Sequence, residues 1–580
     1  MDLKKKIQKI MINSFIFNLP SYKKLFDKKN ILIKPSKNKS FGDYQCDFSM
    51  KLSKIININP MIISNLILKD LINFDIFFKV EIKKPGFINL FLSKEYLEFL
   101  AYLFISKSEY DTIIMPVAFR NKVIIDYSSP NIAKNMHVGH LRSTIIGDCI
   151  KNILNALGYF TSPVNHIGDW GTQFGILIEY IKTYKKEFTK KNNANINQLS
   201  SFYKDGKIKF DENSDFRFRA TDNVLLLQKG NKMTRKIWSK FCSISYISFS
   251  KIYKLLGIQI KEKGESYYNS ILQDTLNKLN KKGFLMRSNN AECVYVKNFF
   301  NKTENLLPII VKKKDGGFNY SSTDLAALRY RVEYSGASWI IYCVDVGQSQ
   351  HFNMIFKTIN MFINLHDKVK LEHIPFGLVL RNDGKKFKTR EGEHKKLIDL
   401  LMYAVKKSFL HFKARNYSFS SKEINNISLI LGINSIKYND LSCMRLKNYK
   451  FCYKNMLNFE GNTAIFICYS YVRIISILNK FNDEEKICYS SIELRTVEEK
   501  ILMLHIVKFN EVIIDVYKNF LPHILCDYLF SLSEKFNAFF HKCKIKNNVL
   551  NHSRILICKL TKHVLKKGMF MLGLKILYKM

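Results

Sequence analysis

Apolar and polar positions change rhythm along this chain, and each rhythm predicts a different architecture. The first residues, Met1 to Phe17, are basic and then apolar, with Gln, Lys and Asn interrupting the run. That pattern predicts an amphipathic first helix rather than a cleaved leader. A polar turn region follows, from Lys34-Pro35-Ser36 to Phe41-Gly42-Asp43-Tyr44. Helical segments come next, then two β-like runs, Val80-Glu81-Ile82 and Phe87 to Leu92, around Pro85-Gly86. Residues 1–115 are therefore predicted to form a small α+β unit. From 116 to 400, strand-like and helix-like stretches alternate, as in a doubly wound parallel sheet. A polar segment at about 182–220 breaks this alternation and reads as a surface insertion. Beyond 400 the periodicity is helical. Residues 401–459 are expected to be a helical junction and 460–580 a helix bundle. No internal repeat is evident. No stretch reaches the roughly 18 uninterrupted apolar residues of a membrane span, so no membrane partner is expected.

Within the alternating region one stretch carries candidate chemistry. The β-like run Val123 to Tyr127 enters a Ser-Pro-Asn turn and then His137-Val138-Gly139-His140. An amphipathic helix is predicted from about Leu141 to Leu157. A strand feeding a helix N-terminus is a phosphate site, because unpaired backbone N–H groups and the helix dipole point at the ligand. The two histidines add donors on one face. Gly139 leaves room for a flat base to approach the backbone.

Two further segments complete a candidate nucleotide and substrate site. Asn382 to Gly392 is a Gly-bounded loop dense in cations, after the apolar run Phe376 to Leu380. Alone such a loop reads more readily as a solvated Lys-rich loop; with the histidine element present, a clamp on the pyrophosphate of a triphosphate is the favoured reading. The run Ile340 to Val344 reads as a buried parallel strand, with Asp345 and Gln348 at its C-terminal end, where ligands bind in such sheets. Tyr320 and Asp324 share a helix face. A carboxylate, a phenol and an amide converging with Asp126 suit a guanidinium. The plainer alternative for Asp324 is a helix cap or a surface acid.

Length and composition narrow this only slightly. The 580 residues exceed one core, so two to four domains are expected. A net charge of +43 implies an anionic partner or a biased genome, and the charge alone does not choose between them. The 12 cysteines are scattered, with no CxxC and no zinc spacing. No structural metal is therefore expected, and the thiols fit a reducing cytoplasm.

The segment Pro130 to His140 resembles the HIGH element of class I aminoacyl-tRNA synthetases, and its flanks resemble the arginyl-tRNA synthetase version of bacterial type. Other blocks agree in order: Phe41 to Gln45, Pro85 to Asn89, Asn165 to Gly175, Tyr320 to Asp324, Lys386 to Arg390, Asn455 to Thr463, and Leu572-Gly573-Leu574. The resemblance covers essentially the full chain. It implies a Rossmann-type α/β catalytic domain, an N-terminal α+β domain that touches the outer corner of tRNA, and an all-α anticodon-binding bundle.

It further implies arginine–tRNA ligase chemistry on ATP, Mg2+, L-arginine and tRNA(Arg), in a cytoplasmic monomer. His137, Gly139 and His140 would contact ATP. Asp126, Ser128, Asn131, Tyr320, Asp324 and Gln348 would hold arginine, with two carboxylates around one guanidinium to discriminate against lysine. Asn131 also reads as a turn former. The second signature departs from KMSK: its middle serine position is Lys388 and its second lysine position Thr389. Lys134, three residues before His137, would supply the missing cation, supported by Lys386, Lys388 and Arg390. In the bundle Tyr469, Tyr471, Arg473 and His563 to Met569 would meet RNA, or the tyrosines would face the core. Rival readings are a class I synthetase for cysteine or another substrate, and a catalytically silent RNA-binding paralogue. The absent zinc spacing and intact histidines oppose them.

Overall fold

A computed structural model describes residues 3–26, 31–36, 38–106, 121–189, 194–300, 304, 306–314, 316–363, 365, 369–380, 384, 396–414, 419–452, 456–458, 460–481, 492–545 and 551–580. The first helix, α1 (Leu3–Asn18), buries Leu3, Ile7, Met11 and Phe15, a stripe at four-residue spacing. It packs with α2 (Phe48–Ile56) and α3 (Pro60–Leu71) on an antiparallel sheet ordered β1 (Ile33–Pro35), β2 (Tyr44–Cys46), β4 (Phe87–Leu92), β3 (Phe77–Lys83). Helix α4 (Lys94–Ser106) closes this α+β unit.

The central sheet is parallel, in the order β12 (Lys370–His373), β11 (Trp339–Tyr342), β5 (Lys122–Asp126), β6 (Phe160–Asn165), β7 (Lys261–Glu262). In chain order that is the doubly wound arrangement, which reverses direction between β5 and β11. Register aligns Tyr342 with Asp126 and Asp126 with Val164, so these strand ends open on one crevice. Between them run α5 (Val138–Ala156), α6 (Thr172–Tyr184), α7 (Ile196–Glu212), α8 (Ser214–Gln228), α9 (Lys232–Leu256), α10 (Asn269–Lys281), α11 (Tyr320–Glu333) and α12 (Ser349–Phe362).

The strand–helix alternation is less regular than the sequence predicts. Residues 286–312 form a separate antiparallel sheet of β8 (Met286–Ser288), β9 (Ala291–Phe300) and β10 (Leu306–Lys312). The polar insertion holds α7 and α8, which pack on α6 at Gly206, Phe216 and Ala220. Helix α5 is not amphipathic. It is buried on nearly every face, because it lies between the sheet and the C-terminal helices.

After β13 (Val379–Leu380) come α13 (Leu397–Ala414), α14 (Ser421–Ser442) and a short β14 (Tyr449–Lys450) that pairs with β13. The bundle comprises α15 (Ala464–Leu478), α16 (Val497–Val507), α17 (Phe509–Asn519), α18 (Pro522–Lys542) and α19 (Asn551–Met571). It also meets the N-terminal unit: Tyr44 donates to Glu511 Oε1 at 2.7 Å, and the Leu494 N–H donates to Glu98 Oε1 at 2.6 Å. Among the described residues no helix is long and apolar enough to cross a membrane.

Candidate active site at the switch point of the parallel sheet

A cleft of about 790 Å³ opens where the strand order reverses. That size suits a small-molecule site. His137, Gly139 and His140 border it, as do Asp126, Ser128 and Asn131 after β5, Tyr320 and Asp324 on α11, and Gln348 after β11. Lys134 is not among the lining residues; its ammonium lies over the Tyr203 ring, 4.9 Å from the centroid. Lys386, Lys388 and Arg390 lie outside the described residues.

The histidines are set by the start of α5. His137 is its N-cap, and its Nδ1 accepts the Gly139 N–H at 3.1 Å. His140 Nδ1 accepts the His137 N–H, also at 3.1 Å. The His140 N–H bonds the His137 carbonyl. The expectation of unpaired backbone donors is therefore corrected for these three residues: their N–H groups are used inside the motif. With Nδ1 accepting, each neutral imidazole carries its hydrogen on Nε2, so the donors offered to a ligand are ring N–H groups. Burial, then the neighbouring His137, holds His140 well below the usual histidine pKa and keeps it neutral. Gly139 also serves this cap. A Cβ there would sit 3.0 Å from His137 Cε1 and displace the ring.

The turn before the histidines is strained. Ser128, Ser129 and Ala133 have φ of 78°, 46° and 63°. Such residues persist only where their surroundings over-determine them. The Ser128 N–H donates to Ser143 Oγ at 2.8 Å, and Ser143 Oγ donates to the Cys343 carbonyl at the end of β11. Ser128 Oγ is 2.8 Å from Tyr253 OH and accepts from Thr144. Its hydroxyl is thus engaged within the protein, against the expectation that it meets substrate. Ser129 is the residue turned outward; its N–H donates to Asn165 Oδ1 at 2.9 Å and its Oγ to Asp126 Oδ1 at 3.3 Å. Asn131 bridges to Gly168, where a Cβ would fall 2.0 Å from Asn131 Oδ1.

The acidic end differs from the expected pair. Asp126 Oδ2 lies 2.7 Å from the guanidinium of Arg331, and both side chains are buried. The guanidinium beside Asp126 is therefore the protein's own. Asp324 is neither a helix cap nor a surface acid: its Oδ2 is 2.7 Å from His351 Nε2, and its Oδ1 is 3.5 Å from His166 Nε2. The α11 cap is Asn319. A second carboxyl at this end is Glu265, which sequence reasoning missed. Burial, then Asp324 and Asp169, push its pKa well above the usual value. Asp169 positions it by accepting from the Ser266 N–H at 2.9 Å and from Ser266 Oγ at 2.6 Å. His166, in the Asn165 to Gly175 block, also borders the cleft, with both ring nitrogens buried and Nε2 facing Asp324. Tyr320 is 63% exposed at the rim, its ring 5.3 Å from that of His351.

The cleft thus joins neutral N–H donors at a helix start to a recess with two carboxyl groups. A profile described as class I (R) tRNA synthetase catalytic domain matches residues 105–453. Profiles for the arginyl-tRNA synthetase N-terminal domain and the DALR anticodon-binding domain match 1–92 and 467–580. An arginine–tRNA ligase of Trichodesmium erythraeum is 42% identical over 558 residues, 95% of each chain. One from Protochlamydia amoebophila is 40% identical over 94% of each. The chain belongs to the arginyl-tRNA synthetases.

The solved arginyl-tRNA synthetase of Plasmodium falciparum superposes with a TM-score of 0.87 at 34% identity, covering 100% of this chain and 99% of that one. The Thermus thermophilus structure shares the fold, with a TM-score of 0.80 at 18% identity and full coverage of both chains. Arginyl-tRNA synthetases use ATP with Mg2+. Among the described residues no group of three or more His, Cys, Asp or Glu is placed to hold a metal ion. In the bundle, Tyr471 is 1% exposed and belongs to the core, whereas Tyr469 is exposed and lies under Arg473, 4.6 Å from its ring centroid.

Proposed function

We propose that this cleft activates L-arginine with ATP and then esterifies the terminal adenosine of tRNA(Arg), the reaction of an arginine–tRNA ligase. The observation that carries this reading is the pairing, in one cleft, of two Nε2–H donors with an Asp324–Glu265 recess. His137 and His140 donate to the phosphate oxygens on which charge grows as the arginine carboxylate attacks the α-phosphorus and pyrophosphate departs. Mg2+ on the nucleotide supplies further positive charge there. Asp324 and Glu265 flank the guanidinium, with Tyr320 and Gln348 at the rim. A lysine ammonium cannot use that forked geometry. Asp126, fixed by Arg331, works with Ser129 and Asn131 around the α-amino group, and Ser128 supports the turn. Lys134, Lys386, Lys388 and Arg390 serve the phosphate side. In the second step the 2′-hydroxyl of the tRNA attacks the acyl carbon and AMP leaves. Positioning carries most of the catalysis.

The chain works as a monomer in the cytoplasm, without a membrane partner or a structural metal. Its units divide near residues 115, 400 and 460. The exposed Tyr469–Arg473 pair is the best-placed RNA contact of the bundle, and Phe41 is exposed on the N-terminal unit. Purified protein incubated with ATP, tRNA and each labelled amino acid tests the function. Only arginine becomes attached. Attachment of lysine or cysteine, or none with folded protein, overturns the reading.

A further inference from the structure

We infer that α7, the first helix of the polar insertion, is part of the ATP half of the site, and that Tyr203 on it is a positioning residue for Lys134. One face of α7 meets the strained turn before the histidines at three successive residues. Ser200 Oγ donates to the Ala133 carbonyl at 3.0 Å. Asn135 Nδ2 donates to Asn197 Oδ1 at 3.1 Å. The Tyr203 ring lies under the Lys134 ammonium at 4.9 Å. Positions 197, 200 and 203 fall at helical i, i+3 spacing, so they share a face. From the other side, Ser245 Oγ on α9 accepts the Ala133 N–H at 3.0 Å. Ala133, with φ of 63° and 1% exposure, is thus clamped at both its N–H and its C=O. Leu199, fully buried, seats α7 in this position.

The arrangement solves a problem set by the sequence. A lysine on a turn has about four rotatable bonds, and holding it for a phosphate costs side-chain entropy. Tyr203 restrains that side chain beforehand. The ammonium keeps the ring face on one side and meets the nucleotide with the other, so the cation–π contact persists in the bound state. The insertion then carries a function that its polar composition hides.

This rests on the reading of Lys134 as a phosphate ligand, so the experiment separates the two. Aminoacylation by the full chain is measured with ATP or arginine varied, for Tyr203→Leu, Tyr203→Phe, Lys134→Met and the double variant Lys134→Met/Tyr203→Leu. Tyr203→Leu is expected to raise KM for ATP roughly three- to tenfold, the range open to a half-buried cation–π contact, with KM for arginine unchanged. Tyr203→Phe keeps the ring face and recovers most of that loss. In the Lys134→Met background, Tyr203→Leu adds nothing further. Ser200→Ala, a smaller change to the same face, shifts KM for ATP in the same direction, and Ser200→Thr recovers it. An impaired Lys134→Met with an unaffected Tyr203→Leu, or fully additive effects, overturns the positioning role alone. A Lys134→Met enzyme with unchanged kcat and KM for ATP overturns the phosphate reading of Lys134 and the positioning role with it.

Discussion

Each histidine of the signature spends Nδ1 on a backbone N–H and presents Nε2–H to the cleft. Removing such a preorganised donor costs roughly a hundred- to a thousandfold in rate. His140→Ala is therefore expected to lower kcat by that factor while circular dichroism and thermal unfolding stay close to wild type; a kcat within a few fold would contradict the assignment. At the opposite end Glu265 is held above the usual carboxyl pKa by burial and by Asp324. The deprotonated form is the one that pairs with a guanidinium. KM for arginine should accordingly fall as pH rises through that raised pKa, and arginine binding should release protons, measurable by titration calorimetry in buffers of different ionisation enthalpy. Glu265→Gln should raise KM for arginine and abolish the proton release. The HxGH pattern was legible because its spacing is local. Glu265 was not: it sits in Lys263-Gly264-Glu265-Ser266, a stretch with no pattern, and matters only because Asp169 anchors Ser266 beside the cleft. Ser128 and Ser129 were confused for a similar reason, since positive φ at both turns the first inward and the second outward.

At the scale of elements, α5 explains how a histidine pair is held rigid. Its buried Arg142, Asp148 and Asn152 face the C-terminal helices and not solvent, while Ser143 and Thr144 face the turn after β5. Arg142 Nε lies 3.2 Å from Asp440 on α14, and Arg142 Nη1 donates to the Gly377 carbonyl at 2.6 Å. Burial pushes Asp440 up in pKa, and Arg142 and Tyr449 pull it back. Gly147 admits the Tyr127 ring, which a Cβ would meet at 2.4 Å. Breaking a buried pair by removing one partner typically costs about 3–5 kcal/mol, because it strands the other charge. Arg142→Met should lower the calorimetric unfolding temperature by several degrees, and Arg142→Met/Asp440→Asn should regain part of the loss. A double variant no better than the single one would show that the pair is not what stabilises this junction. The start and length of α5 were close to legible. Its burial was not, because the polar residues at 142, 148 and 152 read as a solvent face until partners about 300 to 400 residues away are in place.

For the whole molecule, the order of α+β unit, parallel sheet and bundle was legible from the rhythm of apolar positions, but the joints between them were not. One joint gathers several parts of the chain. Lys437 on α14 donates to the Leu256 carbonyl at the end of α9, at 2.9 Å, and to the carbonyl of Gly573 after α19. Asp148 of α5 is beside it, since a Cβ on Gly573 would lie 2.8 Å from Lys437 Nζ and 3.0 Å from Asp148 Oδ2. Asn152 of α5 donates to the Phe570 carbonyl at 3.3 Å, and Asn434 of α14 donates to the Lys575 carbonyl at 2.8 Å. The segment from Phe570 to Lys575 is thus tied to the helix that begins with the histidine motif. Burial lowers Lys437 from 10.5 to about 8, against the pull of Asp148. Between those values the folded protein has released a proton that the unfolded chain still holds, so stability rises with pH across that window. Below about 8 both states are charged and the cost of burying the ammonium is borne in full. At about 1.4 kcal/mol per pKa unit, the difference amounts to a few kcal/mol. Thermal unfolding of wild type and Lys437→Met, side by side from pH 7 to 10, checks this. The gap between them should stay constant up to about pH 8 and then move in favour of wild type as pH approaches 10.5. A gap independent of pH would mean that Lys437 titrates in the fold as it does in the unfolded chain, and the strength of the joint would then rest on its Asn152 and Asn434 hydrogen bonds and on the apolar packing of α5, α14 and α19.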